Sequence, residues 1–389
     1  MSSNHYAKRG VSAGKEEVHA AVRNLDKGLH PKAFSRIYPD YLVGDEAYCN
    51  LMSADGTGTK SVLAYLYWKE TGDISVWEDI AIDVMVMNLD DLLCVGATGP
   101  FLYTSIINRN KHLITGEVIA AIIRGAQNFV DTMQEYGIDI KYMGGETADL
   151  GDTVRTTTID GSMTARMKRE DLIITNQIQP GDVVVGLASF GQASYENAYN
   201  SGIGSNGLTS ARHDVLSKEY LIRYPESFDQ ATDESVLYVG SKKMTDNLEG
   251  TPLNYGRALL SPTKTYAPVI KVLLDKMKGQ IHSLVHCTGG AQTKVLHFID
   301  GLRIIKDNLF PTPPLFASIQ KESGTSWQEM YKVFNMGHRM EVYLPAEYAE
   351  EVIAVAKSFN IEARVIGRVE AAEKSEVEVH TVHGSFNYF

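Results

Sequence analysis

The stretch Ser53-Ala54-Asp55-Gly56-Thr57-Gly58-Thr59-Lys60-Ser61 brings a carboxylate, two glycines, two threonine hydroxyls and a lysine within six residues. Glycine allows close backbone approach and a left-handed turn. Successive exposed N–H groups in such a turn form a concavity that suits phosphate oxygens, and Lys60 adds a point charge for the same oxygens. A carboxylate repels phosphate, so Asp55 fits beside one only if Mg²⁺ lies between them, taking carboxylate and phosphate oxygens together. The G-x-x-x-x-G-K-[ST] spacing of a Walker loop is absent. An ordinary Asp-Gly turn with a solvated lysine has the same letters, so the case depends on the rest of the chain.

Two other places in the first half bear on that chemistry. From Glu78 to Val95 the chain is apolar nearly all round a helix, a pattern that predicts burial, yet it contains Asp83, Asp90 and Asp91. Asp83 and Asp90 share a face, and Asp91 lies about 80° round from Asp83. A buried, unpaired carboxylate is costly, so a cation, a set of donors or a pocket must receive these groups. Further on, the strand-like Asp139–Met143 runs into Gly144-Gly145-Glu146-Thr147-Ala148-Asp149. If Asp55, Asp83, Asp90, Asp91, Glu146 and Asp149 converge, they can hold divalent ions against a polyphosphate, and oxygen-only ligands favour Mg²⁺ or Mn²⁺ over zinc. The second half has glycine-rich strand ends without acids: Ile281–Val285 leads into His286-Cys287-Thr288-Gly289-Gly290, and Gly204-Ser205-Asn206-Gly207 precedes a helical start at Leu208. Such ends suit a phosphate or sugar. A histidine in that place is more often a hydrogen-bonded core group than a catalytic one.

The elements that must position these residues alternate between strand and helix periods. Strands are expected over Cys49–Met52, Phe101–Ile107, Asp139–Met143, Thr153–Ala165, Val183–Ala188, Ile281–Val285, the second half of Met330–Leu344, Glu362–Val369 and Glu376–Val382. Helices are expected over Gly14–Leu25, Glu78–Val95, Thr115–Tyr136, Val269–Met277 and Ala346–Phe359. The pattern resets at Gln179-Pro180-Gly181-Asp182, which divides the chain into residues 1–172, expected to bind Mg-ATP, and 178–389, expected to bind substrate or phosphate. Residues 190–207 read as a loop and 226–256 as a long irregular excursion. The 389 residues suffice for two domains, and 44% hydrophobic with 22% charged is ordinary for a globular chain. A net charge of −11, from 37 basic and 48 acidic residues, argues against nucleic acid or an anionic membrane as partner. Three cysteines without C-x-x-C spacing read as reduced thiols of a cytoplasmic protein. Neither a signal peptide nor a membrane-spanning run is visible. The residues thus read as a two-domain α/β (α+β) enzyme that uses Mg-ATP.

In order along the chain, Tyr6-x-x-x-Gly10-Val11, Asp55-Gly-Thr-Gly-Thr-Lys60, Asp83 with Asp90-Asp91-Leu92, Gly144-Gly-Glu-Thr-Ala148, Pro180-Gly-Asp182, Ser205-Asn-Gly207, Pro262-Thr263-x-x-Tyr266, His286-x-Thr-Gly-Gly290 and Met330-Tyr-x-x-Phe-Asn-x-Gly337 resemble the signatures of the phosphoribosylformylglycinamidine cyclo-ligase (aminoimidazole ribonucleotide synthetase) family. The resemblance covers most of the chain. It implies a two-domain fold whose first-domain sheet pairs with its twin in a homodimer. It also implies ATP-dependent closure of formylglycinamidine ribonucleotide to aminoimidazole ribonucleotide, with ADP and phosphate released, through an iminophosphate. On this resemblance Asp55, Asp91 and Glu146 hold Mg²⁺. Gly56, Thr57, Gly58, Thr59 and Lys60, with Asp83, Gly144 and Gly145, bind ATP. Ser205, Asn206, Gly207, Thr288, Gly289 and Gly290 approach substrate, and His286 and Lys60 are catalytic. The chain departs from the family pattern at Gly204, where Pro-His is usual, at Asp90 for asparagine, and at Ala291 and Arg339 for glycines. The loop before Gly204 offers Gln192, Ser194, Tyr195, Asn197 and Tyr199 as replacement donors. Other readings are a hydrogenase-maturation dehydratase or selenophosphate synthetase of the same superfamily, or a non-catalytic nucleotide-binding homologue.

Overall fold

A computed structural model describes residues 8–10, 21 and 24–389. The expected helix over Gly14–Leu25, and Tyr6 and Val11 of the first motif, lie wholly or mostly outside the described residues. The first domain is a five-stranded sheet of β1 (Ile37–Pro39), β2 (Tyr48–Gly56), β3 (Phe101–Arg109), β4 (Ile140–Asp149) and β5 (Thr157–Lys168), in the order β1-β2-β5-β3-β4. Only β3 and β4 run parallel. Helices α1 (Lys60–Thr71), α2 (Val76–Leu93) and α3 (Gly116–Glu135) follow. Odd-numbered residues of β2, β3 and β5 point to the helix side: Leu51, Phe101, Tyr103, Ile159 and Met163 are buried there. The opposite face leaves Met52, Leu102 and Ile106 about half exposed or more.

Two expected turns are strands. Ser53–Gly56 stays paired with β5 as far as Gly56 opposite Asp160, so only Thr57–Thr59 turn before α1. Likewise Gly144–Asp149 continues β4 alongside β3, with a register shift between Tyr103 and Ser105 taking up the glycine pair.

The second domain is a seven-stranded sheet: β6 (Asp182–Ala188), β9 (Ser283–His286), β10 (Leu302–Lys306), β11 (His338–Pro345), β12 (Ala363–Ala371), β13 (Glu376–Thr381) and β14 (Gly384–Tyr388). A hairpin of two-residue strands, β7 (Phe190–Gly191) and β8 (Asn200–Ser201), interrupts the expected loop. The helices are α4 (Leu208–Val215), α5 (Glu219–Arg223), α6 (Tyr255–Leu259), α7 (Ala267–Met277), α8 (Pro314–Ser323), α9 (Trp327–Val333) and α10 (Ala349–Ser358). Residues 226–256 form short 3₁₀ turns and isolated bridges.

Helix α2 joins the two halves. It packs on β2, β5, α1 and α3 of its own domain, and on α7 and β9 of the second. An apolar surface all round is what such a position demands. Its approach to α3 is tight: a Cβ on Gly125 would lie 2.5 Å from the Glu78 backbone.

Candidate active site at the domain seam

The carboxylates of α2 are received by the second domain. Asp83 Oδ1 accepts from the Lys60 ammonium at 2.7 Å and from the Thr263 N–H at 2.8 Å, and also from the Thr263 hydroxyl. The Lys60 ammonium donates as well to the Ser261 carbonyl at 2.6 Å. About two turns further on, Asp90 Oδ1 accepts from the Thr265 hydroxyl at 2.6 Å and Oδ2 from the Tyr266 N–H at 3.2 Å. The Pro262-Thr263-x-x-Tyr266 motif is therefore the donor set that the buried acids require. Burial raises the Asp90 carboxyl above its ordinary range, and burial pulls the Lys60 ammonium down against the opposing pull of Asp83.

Asp91 turns the other way. Its Oδ1 lies 2.9 Å from His286 Nδ1, at the end of β9. The His286 ring is buried and its Nε2 has no partner among the described residues. Burial, followed by the nearby Arg339 charge, lowers the His286 pKa to about 3. Burial raises the Asp91 carboxyl to about 7, with Lys294 and Arg339 pulling in the opposite direction. Between those values both groups are neutral, the carboxyl protonated and the ring carrying a single N–H. A carboxylate that fixes one ring nitrogen while the other is left without a partner is the arrangement of an oriented general acid or base.

The expected substrate residues gather nearby. Asn206 Nδ2 lies 3.8 Å from where a Cβ of Gly289 would stand, so the Ser205–Gly207 and Thr288–Gly290 turns face each other. Gly207 (φ 79°) opens α4, and a Cβ there would strike the Phe334 ring at 2.5 Å. Asn335 accepts from the Ser189 hydroxyl at 2.9 Å and donates to the Gly202 carbonyl at 2.8 Å, which anchors the loop ahead of Ser205. Ala291 carries a left-handed φ of 44°, where the resemblance implied glycine.

The expected metal set does not assemble within one chain. In the row Asp55–Gly161–Ser105–Gly145 the side chains point to the helix side of the sheet. Glu146 belongs to the neighbouring row Gly56–Asp160–Ile106–Glu146, on the open face. Asp91 is committed to His286. Asp149, also counted among the converging acids, pairs with Arg109 at 2.7 Å. Among the described residues, the sole group of three His, Cys, Asp or Glu side chains with ligand atoms close enough for one ion is Cys287, His338 and Glu341. There Lys306 already supplies a buried cation to Glu341. The residues of a single chain thus do not fit a closed Mg²⁺ site, and no step is derived through one.

The nucleotide cradle is also smaller than its letters suggest. The Gly56 N–H donates to the side chain of Asp55 at 2.7 Å, the Thr57 N–H to the Ile159 carbonyl at 3.0 Å and the Lys60 N–H to the Thr57 carbonyl at 3.2 Å. The Thr59 hydroxyl meets Thr209 at 2.9 Å. Lys60 is sealed at the seam instead of facing an open turn, because Asp83 neutralises it there. Gly144 and Gly145 are strand residues, and a Cβ on Gly145 would collide with the Ser105 carbonyl. Nor does the loop before Gly204 reach toward Ser205: the Tyr195 hydroxyl donates to the Thr265 carbonyl at 2.6 Å and the Gln192 amide to the Glu196 carbonyl at 2.9 Å. Tyr195, Asn197 and Tyr199 line a separate cleft beside α3. No helix among the described residues is long and apolar enough to cross a membrane.

Comparison with known proteins agrees with this architecture. The model of the N-terminal domain of AIR synthase related proteins matches residues 41–167, and that of the C-terminal domain matches residues 179–380. The phosphoribosylformylglycinamidine cyclo-ligase of Methanocaldococcus jannaschii is 31% identical over 353 residues, covering 90% of this chain and 83% of that protein. The enzyme of the same name from Methanococcus maripaludis is 30% identical over 377 residues, covering 94% and 92%. Among solved structures, the HypE–HypF complex superposes with a TM-score of 0.58 at 16% identity, over 97% of this chain and 99% of the other. A thiamine-monophosphate kinase from Stenotrophomonas maltophilia gives 0.51 at 14%, over 96% of each. Those two share the fold. With both domain models matched in order, the chain belongs to the AIR synthase related protein family, and its curated relatives include phosphoribosylformylglycinamidine cyclo-ligases.

Proposed function

We propose that the protein closes the imidazole ring of aminoimidazole ribonucleotide from formylglycinamidine ribonucleotide, using ATP and releasing ADP and phosphate. The observation that carries this reading is the Asp91–His286 dyad, whose buried Nε2 has no partner among the described residues, two residues ahead of the Thr288–Gly290 turn that faces Asn206. An amide oxygen is a poor leaving group, and ATP supplies the phosphoryl group that turns it into one. Ring closure then requires an attacking amidine nitrogen to lose a proton while phosphate departs. His286 Nε2 takes that proton when Asp91 is ionised and accepts the Nδ1–H. The facing turns hold the ribonucleotide in reach, so that positioning contributes as much as acid–base chemistry. The named activity of relatives at 30–31% identity supports the same substrate.

In this reading residues 1–172 carry the nucleotide and residues 178–389 the ribonucleotide. The open, partly apolar face of the first sheet pairs with a second copy in a homodimer. Glu146 lies on that face, so the twin's contribution bears on any Mg²⁺ site. Incubating the purified protein with formylglycinamidine ribonucleotide, ATP and Mg²⁺ is expected to yield aminoimidazole ribonucleotide and ADP in equal amounts. ATP consumption without ring closure would assign the fold to another substrate.

A further inference from the structure

Arg339 is a buried cation whose hydrogen bonds are incomplete. It is the second residue of β11, and it falls in the register shift between His338 and Met340 where β11 pairs with β6. A bulge of this kind re-aims a side chain, and bulges recur beside active sites. The side chain is 3% exposed. One terminal nitrogen, Nη2, donates to the Lys264 carbonyl. Asp90 Oδ2 stands 3.8 Å away, beyond hydrogen-bond distance, and that carboxylate is already served by Thr265 and Tyr266. The Tyr266 ring centroid is 5.8 Å from the guanidinium carbon. Nε has no partner among the described residues.

The surroundings of this guanidinium show what it could take. Arg339 lines a narrow pocket with Gly204, Asn206, Cys287 and Thr288. Nη1 would lie 3.5 Å from a Cβ on Gly204, so a longer side chain at 204 would compete for the same space. The hydroxyl of Ser205, which stands in the chain between the lining residues Gly204 and Asn206, is also buried and without a partner among the described residues. A guanidinium is a rigid fork matched to oxyanions, and leaving a buried charge short of partners is costly. The pocket is too narrow for a whole ligand and suits a single projecting oxygen.

We infer that Arg339 anchors an oxyanion subsite in the second domain, receiving a terminal phosphate oxygen beside Ser205, Asn206 and Thr288. The phosphate class is common to two sources, the 5′-phosphate of a ribonucleotide and a phosphoryl group of ATP. The subsite deepens the proposed function, since it presumes a phosphorylated ligand at the seam. Calorimetric titration with inorganic phosphate, ribose 5-phosphate and ADP, on the whole protein and on Arg339→Lys and Arg339→Gln, tests it without any turnover. Expected are binding of inorganic phosphate to the wild type and a loss of affinity of about 10- to 100-fold in Arg339→Gln, the scale of hydrogen bonds to a charged group. Arg339→Lys should also bind more weakly, because an ammonium cannot reproduce the fork. A ribose 5-phosphate affinity that falls while that of ADP is unchanged assigns the subsite to the ribonucleotide, and the reverse assigns it to ATP. Wild-type affinity in either folded variant, or no phosphate binding to the wild type, overturns the inference. So does a variant that loses thermal stability and still binds phosphate normally, since Arg339 would then serve only the fold. If Arg339→Gln does not fold, the charge-retaining Arg339→Lys decides. A protein that closes the ring with Kd unmoved by Arg339→Lys would sink the subsite alone, and one that binds phosphate through Arg339 without ring closure would sink only the proposed reaction.

Discussion

At the scale of single residues, the Asp91–His286 pair makes the sharpest prediction. Below the Asp91 value of about 7 the carboxyl is protonated. Its O–H then donates to Nδ1, which leaves Nε2 carrying a proton. Above that value Nδ1–H donates to the carboxylate and Nε2 presents a lone pair. If Nε2 acts as a base, turnover rises with pH through about 7, and Asp91→Asn removes that limb. His286→Ala is expected to lower turnover by about 10² or more, the usual scale for a general acid–base group. A pH–rate profile of Asp91→Asn that keeps the limb would assign it to another group. The individual letters were visible in the sequence: His286, Asn206 and the Thr288–Gly290 turn were all singled out, and the structure brings Asn206 to the turn that follows His286. Their pairing was not. Asp91 and His286 are 195 residues apart, and no local spacing reports such a contact. Arg339 was visible only as a departure from pattern, because a bulge is a property of two paired strands and not of one sequence.

At the scale of elements, the expectation for α2 carried furthest. An apolar helix bearing acids had to find donors, and the segment Ser261–Tyr266 supplies them. The strand ends misled for a physical reason. Asp-Gly and Gly-Gly read as turns, yet a central strand tolerates them when a partner fills the ladder and a register shift absorbs the kink. Strands β10 and β14 and helices α8 and α9 are short and lack clean periodicity, so they were not foreseen. The seam contact can be tested directly. Asp83→Asn strands the buried Lys60 ammonium, and breaking a buried pair on one side costs about 3–5 kcal/mol. Lys60→Met combined with Asp83→Asn should recover much of that loss, because no lone charge remains. Urea unfolding of the single and double variants measures both; equal stability of Asp83→Asn and wild type would mean that Lys60 finds another partner.

At the scale of the whole molecule, the open face of the first sheet is the feature that asks for a companion. Met52 (63% exposed), Leu102 (51%) and Ile106 (47%) lie along it, and patches of this kind mark interfaces. Placing a charge there by Ile106→Arg is expected to convert a dimer to a monomer in sedimentation velocity runs, with the circular dichroism spectrum unchanged. A wild-type protein that sediments as a monomer would remove the dimer altogether.

The position of α2 also bears on how such a gene can be divided. The helix belongs to the first domain by order along the chain, yet Asp90 takes both of its donors from the second, and Asp83 takes Thr263 from there beside Lys60 of its own half. Two separately expressed halves, cut within residues 172–178, would each begin life with half of a charged seam facing water. They should therefore be poorly soluble when made singly and recover as a non-covalent complex when made together. Two halves that each gave a cooperative unfolding transition alone would show that the seam is an accessory to two finished domains. A split at this place would behave as an obligate heterodimer, so shuffling either half onto a foreign partner would succeed only where the recipient carries the complementary acids or donors.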